Sequence, residues 1–439
     1  MNSIAIDKPA IDSRFAIQRY LSRHRLYPAQ LDDEPPANLG LAVVIPCYAE
    51  PAVGATLESL AACTLPDCAV EVIVVINSAA AASPDVRAAN EHSRSEVEAW
   101  NRHFADGPIR YRALDYPSLP QRHAGVGLAR KLGMDEAVAR FARTPGANGV
   151  VASLDADCMV RPDYLQALVK HFADDPACPG ASIYFEHRLE QADDASLRRA
   201  VAEYELHLRY YVAGMRMAGF PYAFHTVGSA MVFRAETYAR QGGMNRRQGG
   251  EDFYFIQKLA ALGGYATIVN TVVFPAVRRS DRVPFGTGPA LRQATDSATA
   301  LQTYPVQVFL DLQVFCRAIA IVQDGSLDVD TSACSPALRE FLAQLHFEQR
   351  LQEIRRNVSS SDSFRRRIFR WFNAFRFMKF ANFARENFYV PADVTDAAAE
   401  LLACVEPQDS GLTDAEALLE RYRALDRAAG AGFSGSEIG

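Results

Sequence analysis

The chain has 439 residues, 49% hydrophobic and 22% charged, with a formal net charge of −6 at pH 7. That is enough apolar material for one large domain or two. The negative balance excludes a general nucleic-acid binder, so a phosphate-bearing substrate would need positive charge supplied locally, by a metal or a few arginines. The eight cysteines, Cys47, Cys63, Cys68, Cys158, Cys178, Cys316, Cys334 and Cys404, form no Cys-x-x-Cys pair and fit a reduced cytosolic protein. No basic segment followed by an apolar stretch opens the sequence, and its most apolar run, 306–322, is interrupted by Asp311 and Arg317. The expectation is a cytoplasmic protein.

Residues up to about 40 hold one amphipathic helix, predicted over 14–27, and an acidic, proline-containing linker. From Leu41 the pattern becomes regular. A continuous apolar strand over 41–45 runs into Pro46, Tyr48 and Glu50, and Pro51 opens a helix carrying Leu57 and Leu60. A second buried strand over 70–76 ends at Asn77 and Ser78. A polar helix over 83–107, a short strand over 109–114 and a helix beginning near Gly125 and Gly127 follow. Those glycines suit either close packing or approach to a phosphate. Within that helix Arg130 and Lys131 are adjacent, and Lys131 reads as solvent-exposed. Strand, loop and helix in alternation imply a parallel sheet with right-handed crossovers.

The stretch GVVASLDADCMVRPD, 149–163, has the most chemical content. A buried strand over 150–154 ends in Asp155 and Asp157, at the strand end where open α/β sheets bind ligands. Two close carboxylates are unfavourable unless a cation or hydrogen-bond donors neutralise them, which suggests an oxygen-ligated Mg²⁺ or Mn²⁺ shared with a substrate phosphate. The same residues also suit a polar turn before a helix.

Beyond it come a strand over 180–185, a helix over 194–217, a loop from His225 to Ser229, a strand over 230–234 and a short helix stopped by Gly242 and Gly243. Glu251 and Asp252 then open another helix. After about 289 the chain reads as mainly helical. Its unusual piece, 363–387, sets Phe364, Ile368, Phe372, Phe375 and Phe383 near one helical face, with Arg365, Arg366, Arg370 and Arg376 off it. Such a basic, aromatic helix can lie on an anionic membrane surface or cover its own domain's core.

The order of these features, a strand ending in Pro46-Cys47-Tyr48-Ala49-Glu50, one ending at Asn77, a glycine-containing helix with Arg130, then Asp155-Ala156-Asp157, Gly228-Ser229-Ala230 and Gly250-Glu251-Asp252, resembles the GT-A fold of family 2 glycosyltransferases over 41–289. The resemblance implies a Rossmann-like, mostly parallel sheet flanked by helices, and sugar transfer from a nucleotide-diphosphate sugar to an acceptor hydroxyl, with inversion. It assigns donor binding to Pro46, Tyr48, Glu50, Asn77, Arg130, Asp155 and Arg282, and an Mn or Mg ion to Asp155 and Asp157. Asp252 becomes the base, with Glu251 and Gly228 on the acceptor side. Asn77-Ser78 stands where many relatives have two acidic residues. The loop 278–288 supplies Arg278, Arg279 and Arg282, of which Arg282 is the first choice, and Gly286 and Gly288 would let it fold over the donor. His225, and more weakly His123, are candidates to complete a metal shell.

The expected organisation is an N-terminal helix and linker over 1–40, the GT-A domain over 41–289, a helical region over 290–427 and a disordered tail over 428–439. Two other readings remain. One is a catalytically idle nucleotide-sugar binding or scaffold protein. The other is a sugar-phosphate nucleotidyltransferase, which usually carries a glycine-rich basic loop after its first strand that 46–51 does not offer. The acceptor could be a saccharide, a small molecule or a lipid-linked sugar, the last if 363–387 touches the inner face of a membrane.

Overall fold

The structure, a computed structural model, describes residues 8–105, 107–145, 148–279, 300–324, 326–409 and 411–432. It divides into two compact units, one of 8–188, 226–279 and 430–432, the other of 189–225 and 300–429.

In the first unit, β1 (Leu39–Cys47), β2 (Ala69–Ala79), β3 (Ile109–Leu119), β4 (Val150–Ser153), β5 (Met159–Val160), β6 (Gly180–Phe185), β7 (Met231–Arg234) and β8 (Ala266–Phe274) form one sheet in the order β3-β2-β1-β4-β7-β6-β8-β5. Strands β1 to β4 pair in parallel, as does β6 with β8. Val43, Val44 and Ile45 of β1 are fully buried, as a strand covered on both faces requires. Two strands depart from a plain alternating fold: short β5 pairs antiparallel with β8, and β7 lies antiparallel between β4 and β6. The reversal of β7 has a consequence for the site. Ser153 pairs with Met231, so the loop entering β7, with Gly228 and Ser229, lies beside the carboxyl end of β4, which leads to Asp155.

Helices α2 (Val53–Ala61), α3 (Pro84–His103), α4 (Val126–Ala142), α5 (Tyr164–Asp174), α7 (Ala235–Arg240) and α8 (Glu251–Ala260) flank the sheet. This is the Rossmann-like, mostly parallel architecture expected of a GT-A fold. Helix α4 is drawn close to the sheet at Gly133, where a methyl group would overlap Val44 and Val75. Farther along it, Arg140 donates twice to Glu71 of β2, at 2.6 and 2.5 Å, a buried pair whose hydrogen bonds offset its desolvation.

Three expectations need correction in this unit. The N-terminal helix is α1 (Lys8–His24), earlier than 14–27, and it is no separate element: it packs on α4 and α7. Tyr20 donates to Asp135 at 2.7 Å, and Lys131 reaches the Tyr20 hydroxyl at 2.7 Å and Asp135 at 3.0 Å. Lys131 is therefore buried rather than solvent-exposed, since Asp135 one turn on and Tyr20 replace its water. Strand β3 also runs beyond the predicted 114, to Leu119.

The second unit contains α6 (Ala195–Met217), read from the sequence as part of the first domain. It joins the C-terminal helices because it packs on α9 (Gln307–Ala320) and α14 (Val394–Val405). At Gly214 a side chain would overlap the ring of Phe309, and Tyr210 donates to the Tyr304 carbonyl at 2.7 Å. Two short helices follow α9, α10 (Pro336–Gln344) and α11 (Phe347–Arg355). The basic aromatic stretch is itself two helices, α12 (Ser361–Trp371) and α13 (Ala374–Asn387), because Asn373 caps the second by accepting from the Arg376 amide at 3.1 Å. Phe364, Ile368, Phe372, Phe377 and Phe380 are fully buried, so the apolar face covers this unit's own core. The last helix, α15, runs Ala415–Gly432, into the expected tail; 433–439 lie outside the described residues. Among the described residues no helix is long and apolar enough to cross a membrane.

Candidate active site

The site forms in the first unit where β1 and β4 end and α4 and α8 begin. The turn after β4 is pinned by Thr56 of α2, which donates to the Ala156 carbonyl at 2.9 Å, and by the Cys158 amide on the Asp155 carbonyl at 3.1 Å. The two aspartates flanking Ala156 are left partly open, with side chains 38% exposed at Asp155 and 29% at Asp157. Cys158 is buried, and burial followed by the two carboxylates pushes its thiol well above its usual range, so it stays neutral.

Each aspartate faces an arginine. Arg130 of α4, itself buried, donates to Asp155 Oδ1 at 2.5 Å and to Glu251 at the start of α8. Burial alone would lower its pKa, but Asp155, Glu251 and Asp252 together raise it, and the guanidinium is firmly charged. Gly228 lies flat against this group: a methyl there would overlap the guanidinium. Arg278, just beyond β8, donates to Asp157 Oδ2 at 2.5 Å and to both oxygens of Glu50 at 3.1 and 2.6 Å. Glu50 also accepts from the Ala52 amide at 2.9 Å, and Ala49 before it has φ of 45°, a conformation that costs a non-glycine residue energy.

Asp252 follows Glu251 in the first turn of α8 and is half-buried. Burial raises its pKa; Arg130 and the amides of Phe253 and Gly228 oppose this, and Asp155 adds to it. Asp157 is likewise raised, by burial, then by Asp155, against the pull of Arg278. Asp155, Asp252, Glu251 and Gly228, separated widely in sequence, thus meet around Arg130.

Other sequence-chosen residues have different places. Glu251, expected on the acceptor, is buried on Arg130, because neighbouring residues on a helix point in different directions and this one points inward. Gly228 is occupied in packing against Arg130 and in its amide contact with Asp252. Asn77, expected against the nucleotide base, is buried, and its amide donates to the Cys47 carbonyl at 2.9 Å, tying the ends of β1 and β2 together. Pro46 lies within β1 beside Val75, while Tyr48 is 36% exposed at the loop. Gly127 allows close packing: a methyl would overlap the Arg247 carbonyl. His225 belongs to the second unit, where its Nε2 lies 2.8 Å from Asp426. Arg282, Gly286 and Gly288 lie outside the described residues. Arg278, named with Arg282 but ranked below it, reaches Asp157 and Glu50; being the first cation after β8 was the available signal.

The donor set fits a divalent cation of the Mg²⁺ or Mn²⁺ type. Arg130 takes one oxygen of Asp155 and Arg278 one of Asp157, so each carboxylate keeps a second oxygen that no arginine among the described residues holds. Such ions are commonly held by one or two carboxylates with substrate phosphates and water completing the shell. Among the described residues no three His, Cys, Asp or Glu side chains group closely enough to hold an ion without such help.

The family model for glycosyl transferase family 2 matches residues 42–238, which include Glu50, Asn77, Arg130, Asp155, Asp157 and Gly228; Glu251, Asp252 and Arg278 lie beyond it. No curated protein is detectably similar in sequence. Among solved structures, S. aureus TarS 1–349 in complex with UDP-GlcNAc is 13% identical, with 90% of this chain and 92% of that chain covered and a TM-score of 0.38. The mannosyltransferase PcManGT from Pyrobaculum calidifontis, in complex with GDP-Man and Mn²⁺, is 17% identical, with 97% of each chain covered and a TM-score of 0.36. Residues 42–238 thus match glycosyl transferase family 2, and the sheet that continues past them keeps the Rossmann-like, mostly parallel architecture expected of a GT-A fold.

Proposed function

We propose that the first unit transfers a sugar from a nucleotide-diphosphate sugar to an acceptor hydroxyl, with inversion at the anomeric carbon. The observation that carries this reading is the meeting of Asp252 with Asp155 around one buried arginine, Arg130. Asp252 is the base: its raised carboxyl lies closer to neutral pH than an ordinary aspartate, which suits it to take a hydroxyl proton. As the acceptor oxygen bonds to the anomeric carbon, the bond to the diphosphate breaks and its electron pair leaves on a phosphate oxygen. Arg278, kept charged by Glu50 and Asp157 although burial opposes it, can turn to that diphosphate. A Mn²⁺ or Mg²⁺ ion bound at the second oxygens of Asp155 and Asp157 would stabilise the same leaving charge. Glu251 holds Arg130 in place, and Tyr48 offers a ring at the mouth of the β1 loop for the base of the nucleotide.

A thermal-shift screen of UDP- and GDP-sugars with and without Mn²⁺ tests the reading. One donor should raise the melting temperature of the wild-type chain when Mn²⁺ is present, because a ligand that binds only the folded state stabilises it. Asp157→Ala should lose that shift. Metal-dependent stabilisation of equal size in the variant would contradict the assignment, and a scaffold protein would bind donor yet never hydrolyse or transfer it.

A further inference from the structure

A cavity of about 430 Å³ opens at the amino end of α8, lined by Arg122, Arg246, Arg247, Gln248, Gly249 and Gly250. Its three arginines come from two separate loops, one before α4 and one before α8, and all three are exposed. Among the described residues none of the three forms an ion pair with a carboxylate, unlike Arg130 and Arg278. Three like charges around one hollow repel each other unless an anion enters.

The walls are arranged to receive one. The Arg247 guanidinium lies over the Tyr254 ring, 4.1 Å from its centroid, which braces its planar fork. Arg122 and Arg246 act on one place, for beyond a loss of solvation both hold His123 below its usual pKa. Helix α8 begins just past Gly250, which lies in the left-handed region at φ of 71° and carries no capping side chain; Asp252 accepts from the Phe253 amide at 2.7 Å, and the amides before it remain at the helix's amino end. Gln248 ties the two loops together: its side-chain amide donates to the Gln121 carbonyl at 3.3 Å.

Gly250, in the cavity wall, stands two residues before Asp252 in the chain. A group held there is therefore close to the proposed base, and none of the aspartates and arginines assigned to the donor lines the cavity. We propose that this cavity binds a phosphate group of the acceptor, so that the hydroxyl deprotonated by Asp252 belongs to a phosphorylated molecule. The inference rests on the glycosyl-transfer reading for the word acceptor, and on the cavity alone for the phosphate. Three guanidinium groups match a dianion with several acceptor oxygens. The phosphate could belong to a soluble phosphorylated saccharide or to a lipid.

The test titrates the full chain with glucose 6-phosphate, with glucose, and with phosphatidylglycerol or phosphatidylcholine vesicles, comparing wild type with the combined Arg122→Gln, Arg246→Gln, Arg247→Gln variant. These are exposed positions, and circular dichroism checks that the variant is folded. Wild type should bind glucose 6-phosphate but not glucose, more weakly as salt rises, and the variant should bind about tenfold more weakly or worse. Binding to phosphatidylglycerol vesicles in place of glucose 6-phosphate, lost in the same variant, would support the site and assign the phosphate to a lipid. Equal affinity in wild type and variant, or no binding of either anionic probe, overturns the proposal. Nucleotide-sugar affinity is measured on the same samples: its absence from wild type would sink the transfer reading, while the phosphate titration would still decide the cavity.

Discussion

Two buried arginines, one in each unit, have much the same kind of neighbours and differ in what encloses them. Arg209 of α6 donates to Glu205 at 2.9 and 2.8 Å and to Asp426 at 2.5 Å; Asp426 is shared with Arg216 and His225, and Glu205 with Arg423. Glu205, Arg209, His225, Arg423 and Asp426 are all buried, so this cluster closes on itself. Arg130 also sits among carboxylates, but Asp155 is 38% exposed and Asp252 half-buried, and each has the means to meet a molecule from solvent. Enclosure is the difference between a group of charges that holds helices together and one that can do chemistry.

Substitutions can break or sharpen that contrast. The largest effect on stability is expected for Asp426→Asn, which leaves buried cations without their partner and should cost about 3–5 kcal/mol in denaturant unfolding. Burial would raise the Asp426 carboxyl, but His225, Arg209 and Arg216 hold it well below the usual carboxylate range. Its stabilisation is therefore present at neutral pH and lost as pH falls below the ordinary aspartate range, and the variant should lack that acid dependence. If the variant unfolded normally but lost transfer, the second cluster would have been misjudged.

Arg278→Ala acts on the open site. Removing the cation proposed to meet the leaving-group charge is expected to lower the transfer rate by about 10²- to 10³-fold, with little change in unfolding midpoint. A loss of stability without a loss of rate would assign Arg278 to structure instead. Smaller again is Gly228→Ala, where the added methyl must displace the Arg130 guanidinium. Overpacking of this kind costs about 1–3 kcal/mol, and the rate should fall as well, since Arg130 holds Asp155 and Glu251.

Much of this was legible in the sequence. Unbroken apolar runs mark β1, β2 and β4, and the acidic pairs after β4 and at the start of α8 mark the site, because local pattern and backbone position decide those features. What depends on distant packing was not legible. Nothing near Glu251 says that it turns inward to Arg130, nor near Lys131 that Tyr20 and Asp135 replace its solvent. Helix α6 follows the strand and helix rhythm of the first unit, yet its apolar and charged faces match α9, α14 and Asp426. The run 363–387 has helical periodicity throughout, which hid the break that Asn373 makes by capping α13.

The claim on which the account turns is that Asp252 removes the acceptor proton while other residues hold the donor. The direct measurement is donor affinity and transfer rate on the same preparation of Asp252→Asn. Affinity should stay within about twofold of wild type while transfer falls by about 10²- to 10⁴-fold, the range for loss of a general base. A variant that transfers sugar at the wild-type rate, or that loses donor binding and transfer together, would contradict it.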